Sequence, residues 1–262
     1  MAYESYEDNK KELLAYFERV IGKGKAVIAA WFITHFHEDH IDFASRFLFE
    51  QRDRLSVKLF AYNHPGHEEC LREPQREEEW QRAMDAYPEA ERYILKTGEE
   101  LSFCSCKAKI LLSEEDGGAH AGRKGQNSIS AAISFTFKNN RRFMALGDCD
   151  TARMSQLMDA NSKLYITKEG LKSDVLQVAH HGLPLGSLES VLRNVELYKA
   201  IDPAVCFFDV DRTTFLTRDR YTEEKWADNY YLLHSGRECY DNHETTLVDL
   251  TTMKTQRVIL TK

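Results

Sequence analysis

The apolar run Ala26-Val27-Ile28-Ala29-Ala30-Trp31-Phe32-Ile33 leads directly into Thr34-His35-Phe36-His37-Glu38-Asp39-His40, and this junction constrains the fold more than any other stretch. Eight nearly continuous apolar residues predict a strand covered on both faces. Its tip carries three of the chain's ten histidines and a carboxylate within six positions, the donor set suited to zinc and similar transition metals. A helix would scatter that spacing. A turn leaving the strand would instead fold His35 and His37 toward one metal, and Asp39 and His40 toward a second. The bland alternative, chance histidines in an exposed loop, is disfavoured because clustered His/Asp sets mark metal sites.

Two later segments repeat the plan of apolar strand followed by ligand. Phe143-Met144-Ala145-Leu146-Gly147-Asp148 sets a carboxylate at a strand tip, after a glycine that permits a sharp turn. A carboxylate there can bridge two cations about 3.5–4 Å apart, although Gly-Asp alone is a common turn. Asp174-Val175-Leu176-Gln177-Val178-Ala179 ends in His180-His181-Gly182. A lone buried histidine is more often a core residue than a ligand, but an adjacent pair at a strand end points toward a site.

Strands and helices alternate along the 262 residues without a repeat or a low-complexity linker, so one α/β domain over 1–262 is the simplest reading. Helices are expected at 5–20, from Ile41 to about Glu50, and through the charged stretch 68–87 with an interruption at Pro74. Strands are expected at 57–62, 101–112, 129–137, 143–146, 175–179 and 205–208, with a final pair around Met253-Lys254. Cys104 and Cys106 fall in one of these strands, sharing a face, and read as core packing.

The formal charge is −7 and the basic residues are scattered, which disfavours a nucleic-acid partner. No stretch approaches the ~20 apolar residues of a membrane span. The acidic N-terminus is unlike a signal peptide. Six cysteines are therefore expected as free thiols, and the expected compartment is the cytoplasm. His64, His67 and His243 read as loop or turn residues, and Cys149 as pointing away from any metal.

Taken in order, His35 to His40, Asn127-Ser128-Ile129-Ser130, Gly147-Asp148 and Asp174 to Gly182 resemble the metallo-β-lactamase superfamily of hydrolases. Within it, the likeness is to the hydrolase domain of ComEC-type DNA-uptake proteins and their free-standing relatives. The resemblance implies an αββα sandwich with its site at one edge of the two sheets. It implies His35 and His37 on a first metal, Asp39 and His40 on a second, Asp148 bridging, and His180 completing the second shell. His181 would sit at the substrate or exchange roles with His180. Asp39 would orient the nucleophile, and His181 or Asn127 would donate to the developing oxyanion.

The implied cofactors are two divalent metal ions, zinc first, with manganese and iron as alternatives. The implied reaction is hydrolysis of a phosphoester or phosphodiester in a small-molecule substrate. A carboxylic ester, thioester or lactone hydrolase is the alternative, as is a metal-binding module without catalysis. Two departures stand out. Where many members carry a further histidine before the bridging aspartate, this chain has Asn127, and the earlier His120 reads as a loop residue. Only a helix and a strand precede His35, so the sandwich is expected to lack N-terminal strands. A sheet edge would then be open or covered by a partner chain, which keeps a homo-oligomer among the expectations.

Overall fold

A computed structural model describes residues 6–64, 73–117, 126–182, 194–209, 236–240 and 246–257. After helix α1 (Tyr6–Ile21), the apolar run forms two short strands, β1 (Ala26–Ile28) and β2 (Trp31–Ile33), rather than one. Their partners break in step: β1 pairs in parallel with β3 (Leu55–Val57), and β2 with β4 (Leu59–Tyr62). Lys58, between the partners, donates its N–H to Ile28 O at 2.9 Å and carries the pairing across the break. Val27 is 58% exposed, so the expectation of cover on both faces fails at β1. β5 (Glu91–Ile94) completes this smaller sheet beside β4.

Helix α2 spans Glu38–Glu50 and α3 spans Pro74–Asp85, the latter with proline in its first turn, where the missing N–H costs nothing. Both pack on the smaller sheet. Ile41, Phe47 and Leu48 of α2 and Trp80, Ala83 and Met84 of α3 recur at helical spacing and meet Phe60 and Leu55. Each such large side chain contributes roughly 1.5–3 kcal/mol on full burial.

The second sheet has seven strands: β6 (Glu100–Phe103), β7 (Cys106–Leu112), β8 (Ala132–Phe137), β9 (Arg142–Ala145), β10 (Val175–Gln177), β11 (Val205–Phe207) and β12 (Glu238–Tyr240). They lie side by side in chain order, antiparallel from β6 to β9 and parallel from β9 to β12. Helix α4 (Glu114–Gly117) follows β7. Helices α5 (Thr151–Gln156), α6 (Lys168–Leu171) and α7 (Val195–Ile201) serve the parallel half, and β13 (Thr246–Asp249) and β14 (Lys254–Arg257) form a separate hairpin.

Three buried clusters define four layers. One lies between α1–α3 and the smaller sheet. The second lies between the sheets, where Ala61, Ala108, Ile110 and Ile133 meet and Phe32 sets its ring edge-on to Phe135 at 5.0 Å. The third joins Met144, Leu176 and Val178 to Met154, Leu171 and Leu197 of the last three helices. Helix, sheet, sheet, helix is the expected αββα order. Among the described residues no strand precedes β1, and β1 and β2 lie at an edge of their pairings. The reading of Cys104 and Cys106 as core residues is corrected: they bracket the β6–β7 turn, with Cys104 at φ 51° and exposed.

Candidate metal centre

Three strand tips converge. β2 ends at Ile33, just before Thr34-His35, and Ala131 N–H donates to Thr34 O at 2.9 Å, joining this tip to the start of β8. β9 ends at Ala145, and Gly147 turns the chain at φ 52° to present Asp148. β10 ends at Gln177, and His180 N–H reaches back to Gly147 O at 2.9 Å. Gln177 ties the last two tips, since its Oε1 accepts from Leu146 N and Gly147 N at 3.0 and 2.8 Å.

α2 begins inside the histidine motif. His37 is its N-cap, and Glu38 and Asp39 occupy the first turn, where acidic groups suit the helix dipole. The motif is therefore half turn and half helix, not the turn expected from sequence. The helical start swings His40 beside His35, with ring centroids 4.2 Å apart, whereas His37 lies 6.1 Å from His35.

Asp148, 1% exposed, sits at the centre with a histidine pair on each oxygen. His40 Nε2 and His181 Nε2 lie 3.2 and 3.9 Å from Oδ1, and His35 Nε2 and His180 Nε2 lie 3.6 and 3.9 Å from Oδ2. Asp39 joins the Oδ1 side, with Oδ2 3.2 Å from His181 Nε2 and Oδ1 3.9 Å from His40 Nε2. His37 Nδ1 is 2.7 Å from Asp39 Oδ1, and its side chain is 39% exposed. One ligand atom each from His35, His40 and Asp148 lie within 4.8 Å of one another, as do those from Asp39, His40 and His181.

Of the sequence-derived candidates, His35, Asp39, His40, Asp148 and His181 fall into compact groups, His180 lies 3.9 Å from Asp148 Oδ2, and His37 reaches only Asp39 among them, so the distribution differs from the expected sets. His40 rather than His37 neighbours His35. Of the two arrangements the sequence left open for the histidine pair, His181 is the one beside Asp39 and His40, and His180 faces the His35 side. The cause is local backbone geometry, namely the early start of α2 and the left-handed conformations of His180 (φ 46°) and His181 (φ 54°). Asn127 lies half-buried in a 3₁₀ turn (Gln126–Ile129), its carbonyl accepting from Ser130 N at 3.1 Å. His67, His120 and His243 lie outside the described residues.

Burial, with the neighbouring His40, pushes His35 down to about 3, so it is a neutral imidazole at ordinary pH. Burial opposes ionisation of Asp148, but the His40 and His35 rings outweigh it and hold the carboxyl well below its usual range. Asp39 is likewise held low against its burial by His181 and His37. The bond to Asp39 raises His37. Burial lowers His181, yet Asp39 and Asp148 prevail and lift it to about 9.

These residues fit divalent metal. His35 Nε2, His40 Nε2 and both Asp148 oxygens are buried and make no hydrogen bond of good geometry. Buried polar atoms are almost always paired, and four that converge fit a cation held between them. The far sides of the rings are oriented by hydrogen-bonding partners, as metal-ligating histidines require. His35 Nδ1 lies 3.1 Å from Thr34 Oγ1 and 3.2 Å from Ser130 Oγ, and His181 Nδ1 lies 2.6 Å from Asp209 O. Cys149 stays out of the site: its Sγ donates to Ser130 O at 3.1 Å.

Ser130, Gln177 and Asp209 contact the site or its strand tips, and the sequence reading assigned them no role. A glutamine inside the buried-type strand 175–179 was a legible signal. Ser130 lies in the motif Asn127-Ser128-Ile129-Ser130, which carried no role for it, and Asp209 has no signal in the sequence.

No protein-family model and no curated protein matches the sequence. Solved structures do match. The E377D mutant of CmlA β-hydroxylase aligns with a TM-score of 0.50 at 10% identity, over 91% of this chain and 46% of that one. CmlA, a diiron β-hydroxylase from Streptomyces venezuelae, gives 0.47 at 12% identity over 91% and 46%. The metallo-β-lactamase fold protein YhfI from Bacillus subtilis gives 0.46 at 10% identity over 87% and 80%. The chain spans about half the length of the CmlA chains it matches. At such identity the likeness concerns fold alone. Together with the four layers, the match at 0.50 makes the fold class the expected αββα sandwich of an α/β protein. No helix among the described residues is long and apolar enough to cross a membrane.

Proposed function

We propose that this chain is a single-domain hydrolase that works with two divalent metal ions, zinc first and manganese or iron as alternatives, on a phosphoester or phosphodiester. The observation that carries the reading is the convergence of four buried atoms without hydrogen bonds, on His35, His40 and the two oxygens of Asp148. Asp148 would bridge, with His35 and His180 toward one ion and Asp39, His40 and His181 toward the other. Cations held there supply Lewis acidity, which acidifies water and polarises the substrate oxygen.

The chain's own groups orient and shield. Asp39, gripped by His37 and His181, is fixed as an acceptor at the exposed side of the cluster and can align an attacking water. His37 is at the more open rim of the cluster, and Asn127, half-buried in its 3₁₀ turn, would contact the substrate. Preference for phosphoesters rests on the ComEC-type likeness of the histidine motif and the segment from Asp174 to Gly182. The charge of −7 favours a small-molecule substrate over a nucleic-acid polymer.

Bis(p-nitrophenyl) phosphate and p-nitrophenyl acetate, assayed side by side, test the reading. The phosphodiester should be cleaved, the activity should vanish with chelator and return with zinc, manganese or iron, and Asp148→Asn should lower kcat at least about 100-fold, or about 2.7 kcal/mol. Robust turnover by metal-stripped protein would refute it. Cleavage of the acetate alone would move the substrate class to carboxylic esters.

A further inference from the structure

Beneath the cluster, a second network holds the ends of the segment that runs from β7 to β8. Asn63, fully buried after β4, accepts from Glu114 N at 2.9 Å and donates to Ile129 O at 2.6 Å. Arg153 on α5, 1% exposed, donates Nη2 to Ser113 O and Nη1 to Ser130 O, both at 2.6 Å. Two side chains from different layers thus clamp adjacent pairs of residues, 113–114 to 129–130. A buried guanidinium is expensive to desolvate, and this one is spent on two backbone carbonyls. Among the described residues no carboxylate forms an ion pair with it.

Ser130 is what the clamp holds. Its carbonyl takes Arg153 Nη1 and Cys149 Sγ, and its N–H goes to Asn127 O. Its hydroxyl accepts Asp148 N–H at 2.9 Å and lies 3.2 Å from His35 Nδ1. One oxygen therefore touches the backbone of the central carboxylate and the rear of a histidine facing it. A neutral imidazole that offers Nε2 to a metal must carry its proton on Nδ1, and the Ser130 hydroxyl, with Thr34 Oγ1 at 3.1 Å, is placed to accept it.

We propose that Ser130 and Arg153 form a positioning pair for the metal centre: the buried guanidinium holds the Ser130 segment, and the Ser130 hydroxyl sets both the ring of His35 and the backbone of Asp148. This rests on the metal-centre reading above. The expected signature is lost metal affinity out of proportion to lost stability, because the pair orients ligands rather than supplying one.

The test uses the full chain, stripped of metal, with three readouts: Co²⁺ titration followed by absorbance, long-range ¹H–¹⁵N spectra of the His35 ring, and urea unfolding. Ser130→Ala should remain folded, bind Co²⁺ about 10–100-fold more weakly, and shift the Nδ1–H population of His35, with Thr34 Oγ1 left beside that nitrogen. Arg153→Lys, which keeps the charge but can reach only one carbonyl well, should weaken Co²⁺ in the same direction. Should Ser130→Ala fail to fold, Ser130→Cys keeps nearly the same volume while weakening the hydrogen bonds. Wild-type-like Co²⁺ affinity in folded Ser130 variants, or in Arg153→Lys, overturns the pairing. Failure of the wild-type chain to bind Co²⁺ overturns the metal centre itself, so the two failures are distinguishable.

Discussion

Replacing Gly147 by alanine should damage both the fold and the site, by an amount that can be worked out term by term. Gly147 has φ 52°, and a Cβ there would collide with Ser130 Oγ while lying 2.9 Å from Ala131 O and 2.9 Å from Thr34 Cβ. The left-handed conformation costs a non-glycine residue about 1–2 kcal/mol. Overpacking adds about 1–3 kcal/mol. Neither cost has an easy escape: Gly147 N–H and C=O are engaged by Gln177 Oε1 and His180 N–H, and Ser130 is bonded through its N–H, carbonyl and hydroxyl. The expected loss is about 2–5 kcal/mol in urea unfolding of the metal-free chain. Gly98→Ala separates the two terms, since Gly98 has φ 85° but open space around the added carbon, so only the conformational cost of about 1–2 kcal/mol applies. Equal losses at the two positions would refute the close-approach argument, and a Gly147→Ala loss under about 0.5 kcal/mol would refute both terms.

Two further outcomes concern pH. In the metal-free chain His35 sits near 3 rather than its ordinary 6.5 because it is buried, so the unfolded state binds more protons between those values. Stability from this group should fall as pH drops from 6.5 toward 3, whereas His181, raised to about 9, contributes stability that is lost as pH rises through 9. Urea midpoints of His35→Asn and His181→Asn against wild type should each flatten one limb, and unchanged slopes would contradict the assignment. Glu50 is held near 2 by Arg46, with Tyr6 and Lys10 adding to it against partial burial, so it should favour α1 on α2 above pH 4.5 and cease to do so as pH falls through about 2. Protection factors of α1 amides, corrected for the intrinsic pH dependence of exchange, should fall over that range in wild type, while Glu50→Gln should show already lowered protection without that dependence.

What could be read from the sequence was whatever chemistry lies next to its strand. The apolar run before His35, the Phe143–Asp148 segment and the segment from Asp174 to His181 each carry strand and ligand together, so the three tips could be named without coordinates. The sharing of ligands could not. It depends on whether α2 begins at Ile41 or at Glu38, a three-residue difference that turns His40 toward His35 and His37 toward solvent. Helix starts are set by capping and dipole effects of about 1 kcal/mol, which pattern reading resolves poorly. The Cys104–Cys106 turn was missed for a similar reason: alternation runs unbroken through 101–112, and only the left-handed Cys104 marks the reversal. Asn63 and Arg153 were silent because their partners are backbone atoms distant in sequence.

The pair at 180–181 makes the strongest case that the convergence is built rather than incidental. Two consecutive non-glycine residues in the left-handed region cost of order 1–3 kcal/mol each, and Gly182 continues the same turn at φ 75°. A chain that merely had to leave β10 could do so without that expense. The strain persists because neighbouring tips over-determine it: Val178 N–H is bound by Phe207 O, His180 N–H by Gly147 O, and His181 Nδ1 lies against Asp209 O. Those contacts come from β9 and β11, the strands flanking β10, so the sheet itself imposes the turn. Its result is that adjacent residues, whose side chains would diverge in an extended strand, bring both imidazoles within 3.9 Å of the same carboxylate, one near each oxygen. Strain that the sheet imposes, and that gathers two ligand-type rings around one buried aspartate, supports the proposed metal centre.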